Sequence, residues 1–114
     1  MRAGKTRRNL NALDAQLAQA RSREDRAEAH FQLALFHDNN SREAQAIPHY
    51  RSALRAGLKG ERRARALAWL ASSLYKTGNP QEAVKRLKES ARLTSDPALT
   101  KFIQGLLRRI ERSK

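Results

Sequence analysis

One stretch, Leu67 to Leu93, restricts the fold more than any other part of the chain: LAWLASSLYKTGNPQEAVKRLKESARL. Leu67, Leu70, Ala71 and Leu74 recur at i, i+3, i+4 and i+7, the period of one face of an α-helix. Gly78 can adopt the left-handed conformation that ends a helix without a Cβ clash. Asn79 is a favoured N-cap residue, Pro80 suits the first helical position, and Glu82 completes a capping box. Ala83, Val84, Leu87, Ala91 and Leu93 then form a second apolar stripe. The stretch predicts a helix, a tight turn and a second helix whose apolar faces meet.

The rest of the chain repeats that grammar. Met1 to Arg8 is short, basic and terminal, and reads as a disordered tail. Leu10, Leu13, Leu17 and Ala20 predict a first amphipathic helix over about residues 9–21. Ser22 with Asp25 caps a second, running to about Asp38, whose stripe is Ala27, His30 or Phe31, Ala34 and His37 or Asp38, widened by Leu33 and Leu35. A stripe that wide implies neighbours on two sides. Asn40 or Ser41 caps a third helix, Arg42 to Ala56. Pro48 falls inside it and removes one hydrogen bond, yet Ala46, Ile47, Tyr50, Ala53 and Leu54 keep their period across it; a helix starting at Ile47 is the alternative. Gly57 to Gly60 is a connector. Asp96 caps a sixth helix with Pro97 at its first position. Leu99, Phe102, Ile103, Leu106 and Ile110 form its apolar face, while Lys101, Arg108, Arg109 and Arg112 face water. Gly105 falls mid-helix with no local role visible. No strand pattern occurs, so the expected fold is all-α, about six helices in three antiparallel hairpins.

The stretch from Leu67 to Leu93 resembles a tetratricopeptide repeat. In that family a large apolar residue, a Leu-Gly/Ala pair and an aromatic or apolar residue mark the first helix; Leu67, Leu70-Ala71 and Leu74 stand in those places. Gly78-Asn79 matches the family's turn, and Glu82-Ala83, Leu87 and Ser90 match its second helix. The proline that usually closes the repeat is displaced, to Pro97. A weaker copy lies upstream, with Leu33-Ala34, Ala46, Tyr50 and Ala53 in corresponding places and no glycine in its turn. Ala46 and Ala83 are 37 residues apart, against roughly 34 in the family; Gly57 to Gly60 provides the extra length. The run from Ala46 to Leu67 looks like a bacterial subgroup of these repeats. The resemblance implies a right-handed array of hairpins over 9–114, with repeats at about 27–60 and 64–97 and capping helices at 9–21 and 97–112. It also implies a protein-interaction scaffold, not a reaction.

Such arrays bind extended peptides in a groove lined by the first helix of each repeat. Carried over residue by residue, this implies Phe31, Leu35 and Asp38 on one helix. On the other it implies Arg65, Trp69, Ser72, Tyr75 and Lys76. Trp69 lies off the Leu67–Leu70–Leu74 stripe, so it is either a groove anchor, with Arg65 stacked one turn away, or core beneath the first or sixth helix. Phe31, Leu35 and Trp69 occupy the places where some relatives carry Lys and Asn to clamp chaperone-tail carboxylates, so that clamp is absent.

At 114 residues the chain makes one domain, and with 5% aromatic residues its core is mostly Leu and Ala. The absence of cysteine excludes disulfides and thiolate metal sites and fits a reducing cytoplasm. The four basic residues of Met1–Arg8 are not followed by an apolar signal-peptide core, and no run is long enough to span a membrane. The net charge is +13, unevenly spread: residues 1–50 hold 8 Lys+Arg and 6 Asp+Glu, residues 51–114 hold 16 and 5. A basic half attracts polyanions. Arg62, Arg63, Lys85, Lys88 and Arg92 are the candidate phosphate contacts, with a solvated face as the plain alternative.

His30 and His37 are seven residues apart, roughly 10 Å along a helix and too far to share a metal ion. His49 lies on another helix, so no metal or cofactor site is expected. No cysteine nucleophile, phosphate-cradling glycine loop or zinc motif is present, so no enzymatic activity is expected. The function expected is a cytoplasmic, non-catalytic adaptor for an acidic or amphipathic protein segment. The alternatives are a nucleic-acid-associated module and a structural homo-oligomer.

Overall fold

The computed structural model describes the backbone of residues 2–114 and the side chains from Asn9 onward. Six helices follow one another: α1 (Arg2–Ala18), α2 (Arg23–Asn39), α3 (Glu43–Ala56), α4 (Gly60–Lys76), α5 (Pro80–Leu93) and α6 (Pro97–Arg112). Among the described residues there is no strand. The backbone of residues 2–8, expected as a disordered tail, continues α1 toward the N-terminus. Its Arg, Ala and Lys residues favour helix, and extending an existing helix costs far less than starting one. Met1 and the side chains of that segment lie outside the described residues.

Contacts are sequential. α2 packs on α3 and α4 on α5 as hairpins, α3 packs on α4, and α6 closes over both α4 and α5. The pair α2–α3 is antiparallel: Arg23, at the start of α2, donates to the Arg55 carbonyl at the end of α3 (3.1 Å). The pair α4–α5 is clasped by the fully buried Ser90, whose hydroxyl donates to the Ala64 carbonyl at 2.7 Å. Ten of the twenty-two buried apolar residues among those described are alanines, which let helix axes approach closely. Leu33, Leu67, Leu70, Leu74, Leu87, Ile103 and Ile110 fill the space between, and Tyr50 is completely buried beside Phe31, ring centres 6.3 Å apart.

Three turns share one geometry, the Schellman closure, in which a left-handed residue lets two amides bond back to the helix end. After α4, Gly78 (φ +88°) places Asn79 N–H on the Leu74 carbonyl (2.8 Å) and its own N–H on Tyr75 (3.1 Å). After α3, Gly57 (φ +104°) does the same with Leu58 N–H and Ala53 (3.4 Å). After α2 the left-handed residue is Ser41 (φ +58°), with Arg42 N–H on the His37 carbonyl (2.8 Å). The missing glycine of the upstream turn therefore changes the residue and leaves the turn unchanged.

Caps differ from expectation at two places. Asn79 is the N-cap of α5 by position, but its side chain accepts no capping bond; its amide points to Thr77 (3.4 Å). Glu82 forms no capping box, because Arg51 (3.0 Å) and Arg86 (3.5 Å) engage its carboxylate instead. α3 is capped by Arg42, not Asn40 or Ser41, since Ser41 is committed to the left-handed turn. Ser22 and Asp96 cap α2 and α6 as expected, accepting from Asp25 N–H (2.9 Å) and Ala98 N–H (3.0 Å). Pro48 lies inside α3 on its exposed side, where the carbonyl it leaves unbonded, that of Ala44, faces solvent.

Two substitutions test these features. Ser41→Gly removes the left-handed penalty of a Cβ-bearing residue, so stability should rise by about 1 kcal/mol. Gly105→Ala should also stabilise, by about 1 kcal/mol of helix propensity, because a Cβ there meets nothing within 4 Å. Chemical denaturation reads both; a loss of stability in either would contradict the geometry described.

Candidate functional site

The first helices of successive hairpins, α2 and α4, and the helix α6 that follows them line one side of the stack. Between them lies a cavity of about 340 Å³. Its apolar wall is Leu35 from α2, Trp69 from α4, and Leu99 and Phe102 from α6. Trp69 and Phe102 meet edge to face with ring centres 4.9 Å apart. Trp69 is thus half-buried: one side of the indole packs on the sixth helix and the other borders the cavity.

The rim is charged. The exposed Arg62 lies over the Phe31 ring at 5.1 Å and forms a two-pronged ion pair with Glu28, its Nε donating at 2.7 Å. Burial pushes the Glu28 carboxyl up, but hydrogen bonds from Arg62 and Gln32 and the Arg62 charge outweigh it, so Glu28 titrates below its ordinary value. Arg65 faces the Asp96 carboxylate at 3.7 Å across the gap between α4 and the start of α6. The cavity therefore offers an apolar, partly aromatic wall with two guanidinium groups above it, each already near one carboxylate.

Four of the eight groove residues inferred from sequence, Phe31, Leu35, Arg65 and Trp69, border this cavity. The others are placed elsewhere. Asp38 accepts the Tyr50 hydroxyl (2.7 Å), a bond that ties α2 to α3. Burial, and then this bond, raise the Tyr50 hydroxyl far above its ordinary value, so it stays a donor. Tyr75 is half-buried and hydrogen-bonds Ser113 (2.9 Å) beside a second cavity with Val84 and Ile110. Lys76 lies 3.8 Å from Glu43, an exposed pair worth little. Ser72 is half-buried and does not border the cavity. Phe102, Asp96 and Gln32 were not inferred as groove residues. Phe102 sits at the edge of the α6 apolar stripe, and its period alone does not separate core from cavity wall.

Folding also joins the three histidines. His30 Nδ1 and His49 Nδ1 are 3.0 Å apart, so one donates and the other accepts. The His37 ring stacks on His49, centroids 5.8 Å apart and planes 9° from parallel. Among the described residues no group of three or more His, Asp or Glu has a metal-holding arrangement. All three imidazoles titrate below the ordinary 6.5. Burial is the first cause for each; the charges of His49, Arg26 and Arg55 add to it for His30, and those of Arg42 and His49 for His37. Asp14 on α1 opposes the shift at His37 and His49.

The family described as Tetratrico peptide repeat matches residues 27–110, the span from α2 almost to the end of α6, and the chain belongs to that family. No curated protein matches the chain in sequence.

The histidine cluster fixes a pH dependence of stability. The unfolded chain takes up these protons near 6.5, the folded chain only at lower pH. Stability should therefore be full above that value and fall as pH drops through it toward the folded-state values. Thermal unfolding between about pH 7.5 and 5 should show a falling midpoint, and His49→Gln should flatten the slope. A midpoint independent of pH over this range would contradict the half-buried cluster with its lowered pKa values.

Proposed function

We propose that this tetratricopeptide repeat protein is a non-catalytic cytoplasmic adaptor. Its partner inserts an apolar or aromatic side chain from an acidic or amphipathic segment between α2, α4 and α6. The family generally mediates protein–protein interaction. The observation that carries the reading is the cavity itself, whose Trp69–Phe102 wall stands beside Arg62 and Arg65. Its size, about 340 Å³, suits one large side chain with its flanking backbone. A carboxylate on the partner would compete with Glu28 or Asp96 for a guanidinium, which gives direction and specificity more than affinity. No helix among the described residues is long and apolar enough to cross a membrane.

Retention of a partner from native lysate on the immobilised protein tests this. Trp69→Ala should lower retention by about tenfold or more, as expected for a central aromatic anchor. Because Trp69 also packs on Phe102, Arg65→Glu serves as a second variant that leaves the apolar contact intact; it should weaken the same partner and slow its association. If folded Trp69→Ala and Arg65→Glu proteins both retain every partner at the original level, the cavity is not the binding site.

A further inference from the structure

Five carboxylates of this protein pair with five cations. Glu28, Glu43, Glu82, Glu89 and Asp96 are all in ion pairs, and their partners are Arg51, Arg62, Arg65, Lys76 and Arg86. Glu61 is also engaged, accepting from Thr94 (2.8 Å) and the Ser95 N–H (2.6 Å). Arg63, a candidate phosphate contact by sequence, is turned inward and donates to the carbonyls of Leu54 and Leu58, both at 3.2 Å. Arg62 is likewise committed to Glu28. Arg63 is therefore not free for an external anion, and Arg62 takes one only in exchange for Glu28.

The outward sides of α5 and α6 are different. Lys85, Lys88 and Arg92 are exposed on α5 at i, i+3 and i+7. Lys101, Arg108, Arg109 and Arg112 are exposed on α6. None of these seven has an ion-pair partner among the described residues, and the only exposed carboxylate on either helix is Glu111. Gly105 is exposed between Lys101, one turn before it, and Arg108, Arg109 and Arg112 after it. A Cβ at Gly105 would meet nothing within 4 Å, so no contact within the chain requires glycine there. The bare helix surface permits a ligand to approach the α6 backbone closely, surrounded by cations.

We infer that this α5–α6 face binds the phosphodiester backbone of a nucleic-acid duplex, independently of base sequence. A protein partner needs an apolar centre to its interface, and among the exposed cations of α5 and α6 the one large exposed apolar residue is Leu93, at 43%. Single strands are bound by stacking bases on aromatic rings; the one aromatic side chain on these two helices, Phe102, is turned into the cavity against Trp69. A duplex needs only cations spaced along its phosphates. The α6 set runs from Lys101 to Arg112, eleven helical steps or roughly 16 Å, a length along which duplex DNA presents several phosphates.

The test is fluorescence anisotropy of a short mixed-sequence DNA duplex with the full chain, titrated at several salt concentrations. Binding should weaken linearly on a log–log plot with a slope of about −3 or steeper. Arg108→Glu/Arg112→Glu should lower affinity at least tenfold and make the slope shallower by about two. Arg21→Glu/Lys59→Glu changes net charge equally but lies off the face, and should leave most of the affinity; circular dichroism checks that both variants fold. Equal losses in the two variants would show that total charge, not this face, binds the duplex. Polyglutamate or phosphatidylserine vesicles competing as well as unlabelled duplex at the same phosphate or carboxylate concentration would overturn the assignment of a nucleic-acid ligand. Failure here leaves the cavity reading standing, because the partner capture uses different residues and a different ligand.

Discussion

Close helix approach through alanine is the constraint on which the rest of the structure depends. Ala34 of α2, Ala46 of α3, Ala64 and Ala71 of α4 and Ala83 of α5 have no accessible surface. At such positions a larger side chain would push the helices apart or force its neighbours off their rotamers, at a cost of typically 1–3 kcal/mol. The short separation also lets Ser90 reach a backbone carbonyl of the neighbouring helix, a buried polar contact that needs the two backbones nearly touching. A chain with so few aromatic residues cannot fill wide gaps, so its core follows from its composition: small residues where helices touch, leucine and isoleucine where they diverge.

That logic explains which parts were legible in the sequence. Helix number, hairpin order, the α6 limits and the caps at Ser22 and Asp96 all follow from local period and local chemistry. Pro48 was readable as an interruption without consequence because the apolar period continues through it. Less legible were choices between competing partners. Glu82 has the spacing for a capping box, but two arginines outcompete the backbone amide. Asn79 has the side chain for a cap, yet the turn before it has already oriented that residue. Asp38 has the position of a groove residue, yet Tyr50 holds it. For Glu82, through Arg51, and for Asp38, through Tyr50, a partner on another helix won over a local role; for Asn79 the competing partner, Thr77, is itself local. The histidine cluster is the extreme example: two positions on α2 and one on α3 become a contact only through hairpin register.

The cavity was half legible for a related reason. Residues on α2 and α4 could be placed by repeat position, since both helices obey the same period. The third wall, Phe102 on α6, follows a register in which Leu99, Ile103, Leu106 and Ile110 are buried. Lys101, Gln104, Gly105 and Arg108 lie 34 residues after Leu67, Leu70, Ala71 and Leu74. The face that α4 turns into the core is thus, on α6, turned to solvent. α6 closes the stack with one side and presents a polar face with the other.

The same closure explains why free cations can accumulate there. Stability of the stack rests on the apolar contacts, so the outer charges of α5 and α6 are not needed to hold it together. They are also not neutralised, although each carries a repulsive cost from its like-charged neighbours. Arg109 and Arg112 gain something from the negative end of the α6 dipole, a few tenths of a kcal/mol to about 1 kcal/mol at an exposed helix end. Lys101, near the positive end, gains nothing from it, and neither Lys85 nor Lys88 lies in a last turn. Solubility alone would be served by cations paired with carboxylates, as Arg62, Arg65 and Lys76 of α4 are. Seven exposed cations against one exposed carboxylate on α5 and α6 is the arrangement that an extended anion would use; Lys101, Arg108 and Arg112 share one stripe of α6, whereas Arg109, seven residues after Phe102, lies on the cavity side of that helix.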